Sequence, residues 1–216
     1  MNEDEKQKEL EEIAGQVNEC QRCPLYRGAN RAVPGEGSPD AKIMFIGEGP
    51  GYWEDQRGIP FCGAAGALLD KLLQSIKVER KSVFIGNVVK HRPPGNRDPL
   101  PEEIAACSEW LDRQIGIIQP KIIVTLGRFS MAKFIPEGKI SQIHGQPRFI
   151  EFEGEKYIVI PMFHPAAALR SLEIMGKIKE DFSKIPELLK ENKDQDIMRA
   201  QERPESPKEE QLSLLQ

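Results

Sequence analysis

Two cysteines three positions apart, Cys20-Gln-Arg-Cys23, present their thiols at a spacing suited to gripping a metal, and Pro24 directly after them keeps the pair on a loop. The chain has four cysteines in all, Cys20, Cys23, Cys62 and Cys107. In a chain expected to be cytoplasmic, that set argues against a disulfide framework and for metal binding or catalysis. Gly47-Glu48-Gly49-Pro50-Gly51 is a loop whose glycines let backbone approach a ligand closely. It has neither the Gly-Lys-Ser/Thr ending of a phosphate loop nor the third glycine of a dinucleotide fingerprint, which disfavours a nucleotide cofactor. The segment Asn87 to Arg97 carries an amide and several bases, and His164-Pro165 offers an imidazole able to stabilise charge near neutrality.

Four short apolar runs rich in β-branched residues, Lys42 to Ile46, Val83 to Val89, Lys121 to Leu126 and Tyr157 to Met162, read as buried strands. Between them lie helical patterns at Ala64 to Ile76, Pro101 to Ile115 and Gly127 to Phe134. The second opens on Pro101-Glu102-Glu103, residues favoured at a helix N-terminus. Leu10 to Val17 reads as the end of an acidic amphipathic helix, and a last helix is expected at about Ile178 to Leu189. Strands alternating with helices predict a parallel sheet covered on both faces, with the ligand crevice beyond the carboxyl ends of the strands. The glycine loop, Asn87 to Arg97 and His164-Pro165 all fall at such ends.

The chain has 216 residues, which suits one α/β domain over residues 1–190. Residues 191–216, charged and proline-containing, are expected to form a disordered tail. No run of about 18 apolar residues appears and the first twelve residues are acidic, so neither a membrane span nor a secretory leader is expected. The net charge of −4 divides into −4 for residues 1–12, −3 for residues 191–216 and +3 for the body between them. A mildly basic body permits a phosphate-facing surface without demanding one.

Taken in order, Gly47-Glu-Gly-Pro-Gly51 with Glu54-Asp55, Gly58-Ile-Pro-Phe61, Asn87-Val-Val-Lys90, Arg92-Pro-Pro94 with Asn96-Arg97, and His164-Pro-Ala-Ala-Ala-Leu169 resemble the family 4 uracil-DNA glycosylases. The resemblance spans roughly residues 15–190 and implies an α/β/α sandwich around a four-stranded parallel sheet. It also implies a bound [4Fe–4S] cluster and cleavage of the N-glycosidic bond of deoxyuridine in DNA, as in base-excision repair, by a monomeric cytoplasmic enzyme associated with the nucleoid. Because that bond is inaccessible within the base stack, the target must be flipped out.

By the same resemblance, Phe61 stacks on the flipped base and Glu54 lines the wall near uracil C5, where it excludes thymine's methyl. Asn87 reads the Watson–Crick edge: its oxygen accepts from N3–H and its NH₂ donates to O4, the opposite of what cytosine presents. His164 stabilises charge gathering on uracil O2. Glu48 orients the attacking water or braces its loop, beside Gly49, which stands where some relatives have aspartate. Ala166 to Leu169 form a small apolar wedge, with Arg170 near a phosphate. The cluster ligands are Cys20, Cys23, Cys107 and His91, the last standing where the family pattern has cysteine. Imidazole ligation of iron has precedent in Rieske centres. Cys62 is an alternative fourth ligand, and three cysteines with one histidine also suit structural zinc. Lys90-His91 partly resembles uracil-trapping relatives that bond covalently at their product site, but the extra basic loop of those relatives is missing, so ordinary turnover is expected. The rival readings are a zinc-stapled lesion-binding protein without catalysis and a glycosylase for other deaminated bases. Gln211-Leu-Ser-Leu-Leu215 bears a loose likeness to a sliding-clamp peptide.

Overall fold

Ile43, Met44, Phe45 and Ile46 are all buried, as are Phe84 to Asn87 and Ile122 to Leu126, and strands with no polar face can only lie in the middle of a covered sheet. The computed structural model describes residues 1–190 and bears this out. In chain order the elements are α1 (Glu3–Asn18), β1 (Glu36–Gly37), β2 (Ile43–Gly47), α2 (Tyr52–Arg57), α3 (Ala64–Ser75), β3 (Phe84–Asn87), α4 (Pro101–Ile118), β4 (Ile122–Leu126), α5 (Arg128–Phe134), α6 (Ile140–Ile143), β5 (Arg148–Phe152), β6 (Glu155–Met162), α7 (Pro165–Ala168) and α8 (Leu172–Ser183). The strand order is β1-β3-β2-β4-β6-β5, in which β3, β2, β4 and β6 are parallel.

The sheet therefore has six strands rather than the expected four. The two additions are antiparallel edges, β1 on β3 and β5 on β6. β1 is two residues long and leaves no periodic signal. β5 is largely exposed, with Ile150 and Phe152 half-buried against the core, and it reaches β6 through Glu153-Gly154, both at positive φ, the two-residue turn that suits the twist of a hairpin.

The period-2 alternation of β2 divides the core. Met44 and Ile46 face Leu10, Ile13 and Val17 of α1 and Trp110, Leu111 and Ile115 of α4. Ile43 and Phe45 face Leu69 and Leu73 of α3 and Ile178 and Phe182 of α8. Helices on both faces of one sheet make the three-layer sandwich. The last helix departs from its expected bounds. It begins at Leu172, where the Ser171 hydroxyl accepts from Ile174 N–H, and ends at Ser183, with helical structure resuming over residues 185–190. Pro186 explains the break, since a proline ring fits the first turn of a new helix but not the interior of an old one. None of the described helices is long and apolar enough to cross a membrane. The expected tail and its clamp-type peptide lie outside the described residues.

Candidate active site and cysteine cluster

β2 and β3 end side by side, with Gly47 opposite Asn87, and the pairing continues past the strand ends through Val88 N–H to Gly47 O and Val89 N–H to Glu48 O, both 3.1 Å. A Cβ on Gly47 would lie 2.4 Å from Asn87 Oδ1 and 2.8 Å from the Phe61 ring, so only glycine lets those two side chains close over the strand end. Asn87 is buried, and its Oδ1 has no hydrogen-bond partner among the described residues. A buried carbonyl oxygen left unpaired costs roughly 1–3 kcal/mol, a cost that a ligand N–H would remove.

Phe61 sits at φ 49°, in the left-handed region that costs a bulky residue energy and persists where the surroundings over-determine it. The surroundings do so. Glu54 Oε1 accepts from the N–H groups of Cys62 and Gly63, each at 3.0 Å, and Arg80 donates to Pro60 O at 2.6 Å. Gly66 passes so close that an added Cβ would lie 1.6 Å from Phe61 O. Glu54 thus spends one carboxylate oxygen bracing the turn that presents Phe61, a task that residue order alone does not reveal. The Phe61 ring lies at 5.5 Å and 28° from that of His164, so the two form one wall.

His164 follows β6 and caps α7, its Nδ1 accepting from Ala166 N–H at 3.1 Å. An accepting Nδ1 leaves the ring proton on Nε2, which makes the neutral imidazole a donor on its free side. The ring keeps some contact with solvent, yet the protein packed around it pushes the imidazole down to about 4, opposed only by the charge of Glu54. The neutral form therefore persists above that value and is lost as pH falls through it. Glu48 is half-buried at the same rim, held above the usual carboxylate range by burial and by Asp98, with Arg128 opposing. The kcat/KM–pH profile of the reaction at this site is expected to show no imidazole limb between pH 6 and 8. An acid limb above the His164 value belongs to Glu48 and disappears in Glu48→Gln; a limb near 6.5 in that variant would show His164 titrating as an ordinary histidine.

A Cβ on Gly49 would meet Val89 at 2.7 Å, which keeps backbone at the floor between β2 and β3. In the segment expected to be the wedge, Ala168 is buried against the α3 side of the core, Ala166 is half-buried, and Leu169 and Arg170 are exposed. Leu172, the first residue of α8, is 92% exposed.

Cys107, on α4, is buried and accepts Lys90 N–H at 3.3 Å, and burial pushes its thiol to about 11. Burial likewise raises Cys23, and Cys20, Cys23 and Cys107 each stand within reach of another's charge. Lys90 is wholly buried beside them, its Nζ donating to Gln114 at 2.8 Å. Cys20 and His91 line one cavity of about 640 Å³ with Tyr26, Asn30 and Arg57. Burial lowers the His91 imidazole, leaving it neutral and able to ligate. Among the described residues no three of these side chains are drawn into metal-ligating geometry. The donor set nevertheless fits a thiophilic metal group, since the charges of Cys20 and Cys23 both reach Cys107 and His91 shares a cavity with Cys20. Cys62 lies apart, and the charges that bear on it are those of Glu54, Arg57 and Arg80 rather than of any other cysteine.

The profile described as Uracil DNA glycosylase superfamily matches residues 34–190. The chain is similar to the type-4 uracil-DNA glycosylase of Sulfurisphaera tokodaii, 49% identical over 185 residues that cover 83% of this chain and 84% of the other. It is 46% identical over 186 residues to the type-4 uracil-DNA glycosylase of Saccharolobus solfataricus, covering 83% and 86% of the two chains. Its identity to that of Archaeoglobus fulgidus is 43% over 185 residues, covering 83% and 92%.

Proposed function

The chain belongs to the uracil-DNA glycosylase superfamily, and from that premise we propose how its residues divide the work of removing uracil from DNA. It is a uracil-DNA glycosylase, an enzyme of DNA repair.

The observation that carries the reading is the orphaned Oδ1 of Asn87. A flipped uracil edge-on to Asn87 gives N3–H to that oxygen and takes a hydrogen bond from the amide NH₂ at O4, whereas cytosine mispairs both groups. Phe61 covers the base face. As the bond between N1 and C1′ breaks, its electron pair passes to the base and spreads onto O2, where the Nε2–H of His164 donates to it. Water adds to C1′ of the cationic sugar from the side of Glu48, which accepts the water's proton when ionised. Gly49 leaves room for the base at the pocket floor, and Glu54 keeps the Phe61 turn rigid. Leu169 with Ala166 fills the vacated stack, and Arg170 faces a phosphate. Excision measured on one oligonucleotide carrying uracil, cytosine, thymine or hypoxanthine at a single position tests the reading. Release of uracil alone is expected, and a faster release of hypoxanthine would reassign the substrate.

Cys20, Cys23, His91 and Cys107 would hold a [4Fe–4S] cluster. When bound, it supplies a cross-link from the loop after α1 to His91, just beyond the end of β3 where Asn87 lies, and to Cys107 on α4. Cys107→Ala is expected to abolish bound iron and sulfide and to lower the thermal midpoint by several degrees, whereas Cys62→Ala keeps both. Stoichiometric zinc in place of iron, counted by metal analysis, would favour a structural zinc site.

A further inference from the structure

Tyr52 and Trp53 open α2 directly after the glycine loop and are half-exposed, at 50% and 53%. Their rings meet edge to face at 5.1 Å. The Arg92 guanidinium lies 5.2 Å from the centre of the Tyr52 ring, and that of Arg57 lies 5.6 Å from the Trp53 ring. Neither arginine is paired with a carboxylate in a salt bridge among the described residues; Arg92 donates to Asn96 Oδ1 at 2.7 Å. A surface that spends two large aromatic faces and two uncompensated cations in one place is built for a partner that is both flat and anionic.

The three segments that make the patch also make the pocket. α2 carries Glu54; Gly63, whose added Cβ would lie 3.4 Å from the inner edge of Trp53, closes the turn that presents Phe61; and Arg92 follows Asn87 on the exit from β3. The patch therefore continues the pocket mouth outward. Its placement beside a base pocket rests on the proposed function, but its chemistry does not.

We propose that Tyr52, Trp53, Arg57 and Arg92 form a stacking site for unpaired bases of the DNA strand that flank the target nucleotide, so that the protein holds single-stranded DNA more tightly than duplex. Unpaired bases offer their faces to the aromatic rings while the backbone phosphates meet the arginines; a duplex keeps those faces stacked on each other. Base–aromatic stacking is sequence-tolerant, so the site needs no uracil.

That tolerance separates this test from the test of the pocket. The probe is a fluorescein-labelled single strand of fifteen thymidines, with its duplex as comparison, and binding is followed by anisotropy. Of the chain's two tryptophans, Trp110 is buried under Arg22, so fluorescence quenching of the unlabelled protein by the unlabelled strand reports on Trp53. The thymidine strand is expected to quench that fluorescence. Tyr52→Ala/Trp53→Ala is expected to weaken single-strand binding by about 10–100-fold and duplex binding by less than about threefold. Trp53→Phe, which keeps a stacking face, restores most of the single-strand affinity. Unquenched fluorescence, or equal losses on single strand and duplex, would overturn the proposal and leave the patch to a protein partner. Uracil excision read on the same wild-type preparation reports separately on the pocket.

Discussion

Asn87→Ala is expected to lower kcat/KM for uracil excision by about 10²–10⁴-fold without destabilising the fold. The activity loss follows from two hydrogen bonds to the base edge, each worth on the order of 1–3 kcal/mol in a buried site, with each 1.36 kcal/mol a factor of ten in rate. The stability expectation is the more diagnostic half. Asn87 Oδ1 has no protein partner among the described residues, so its removal takes away an uncompensated buried acceptor instead of breaking a native bond. A thermal midpoint equal to or above that of the parent, with activity lost, marks a residue kept for function. A loss of several degrees would assign Asn87 to the structure. Asn87→Asp retains the shape and the accepting oxygen but loses the donor to O4, and it should be as inactive on uracil as the alanine variant.

His164→Ala is expected to reduce kcat by about 10²–10³-fold with a smaller change in KM, the pattern of a donor that matters most when charge has developed on the base. The geometry makes the role specific. The ring's Nδ1 is occupied by Ala166 N–H, its partner wall is Phe61, and its imidazole stays neutral down to about 4, so what it offers is one N–H and no positive charge. His164→Gln, which presents an amide N–H from a similar position, should recover part of the rate. A fall in KM and kcat together, or full activity in the alanine variant, would show that the ring only caps α7.

The strands that position these residues were legible because each contains a short, mostly apolar, buried run, as a covered parallel strand requires. β5 was not, since Arg148 and Glu151 break up its apolar residues and Phe149 stands in solvent, so no continuous buried run marks it. α8 starts before its expected position because the Ser171 side chain caps it at Leu172, a local signal that the apolar positions toward Leu189 do not carry. Asn87, Phe61 and His164 were recognisable from motif order, and the structure brings them together. What a side chain braces is a different matter. Glu54 reads as a pocket-wall carboxylate, and its two backbone bonds add a bracing task that the sequence does not show, while the separation of Cys62 from the other cysteines depends on how the Phe61 turn folds. The exposure of Tyr52 and Trp53 was likewise hidden, because aromatic residues at a helix start more often pack inward than stand in solvent.

On the proposed reading, the buried oxygen of Asn87, unpartnered among the described residues, waits for the N3–H of a flipped uracil. The most direct test compares single-turnover excision of uracil and of 3-methyluracil from the same position of the same single-stranded oligonucleotide. Methylation removes that one donor, and uracil should leave at least about 10²-fold faster. Equal release of the two bases, or release of neither, would contradict it.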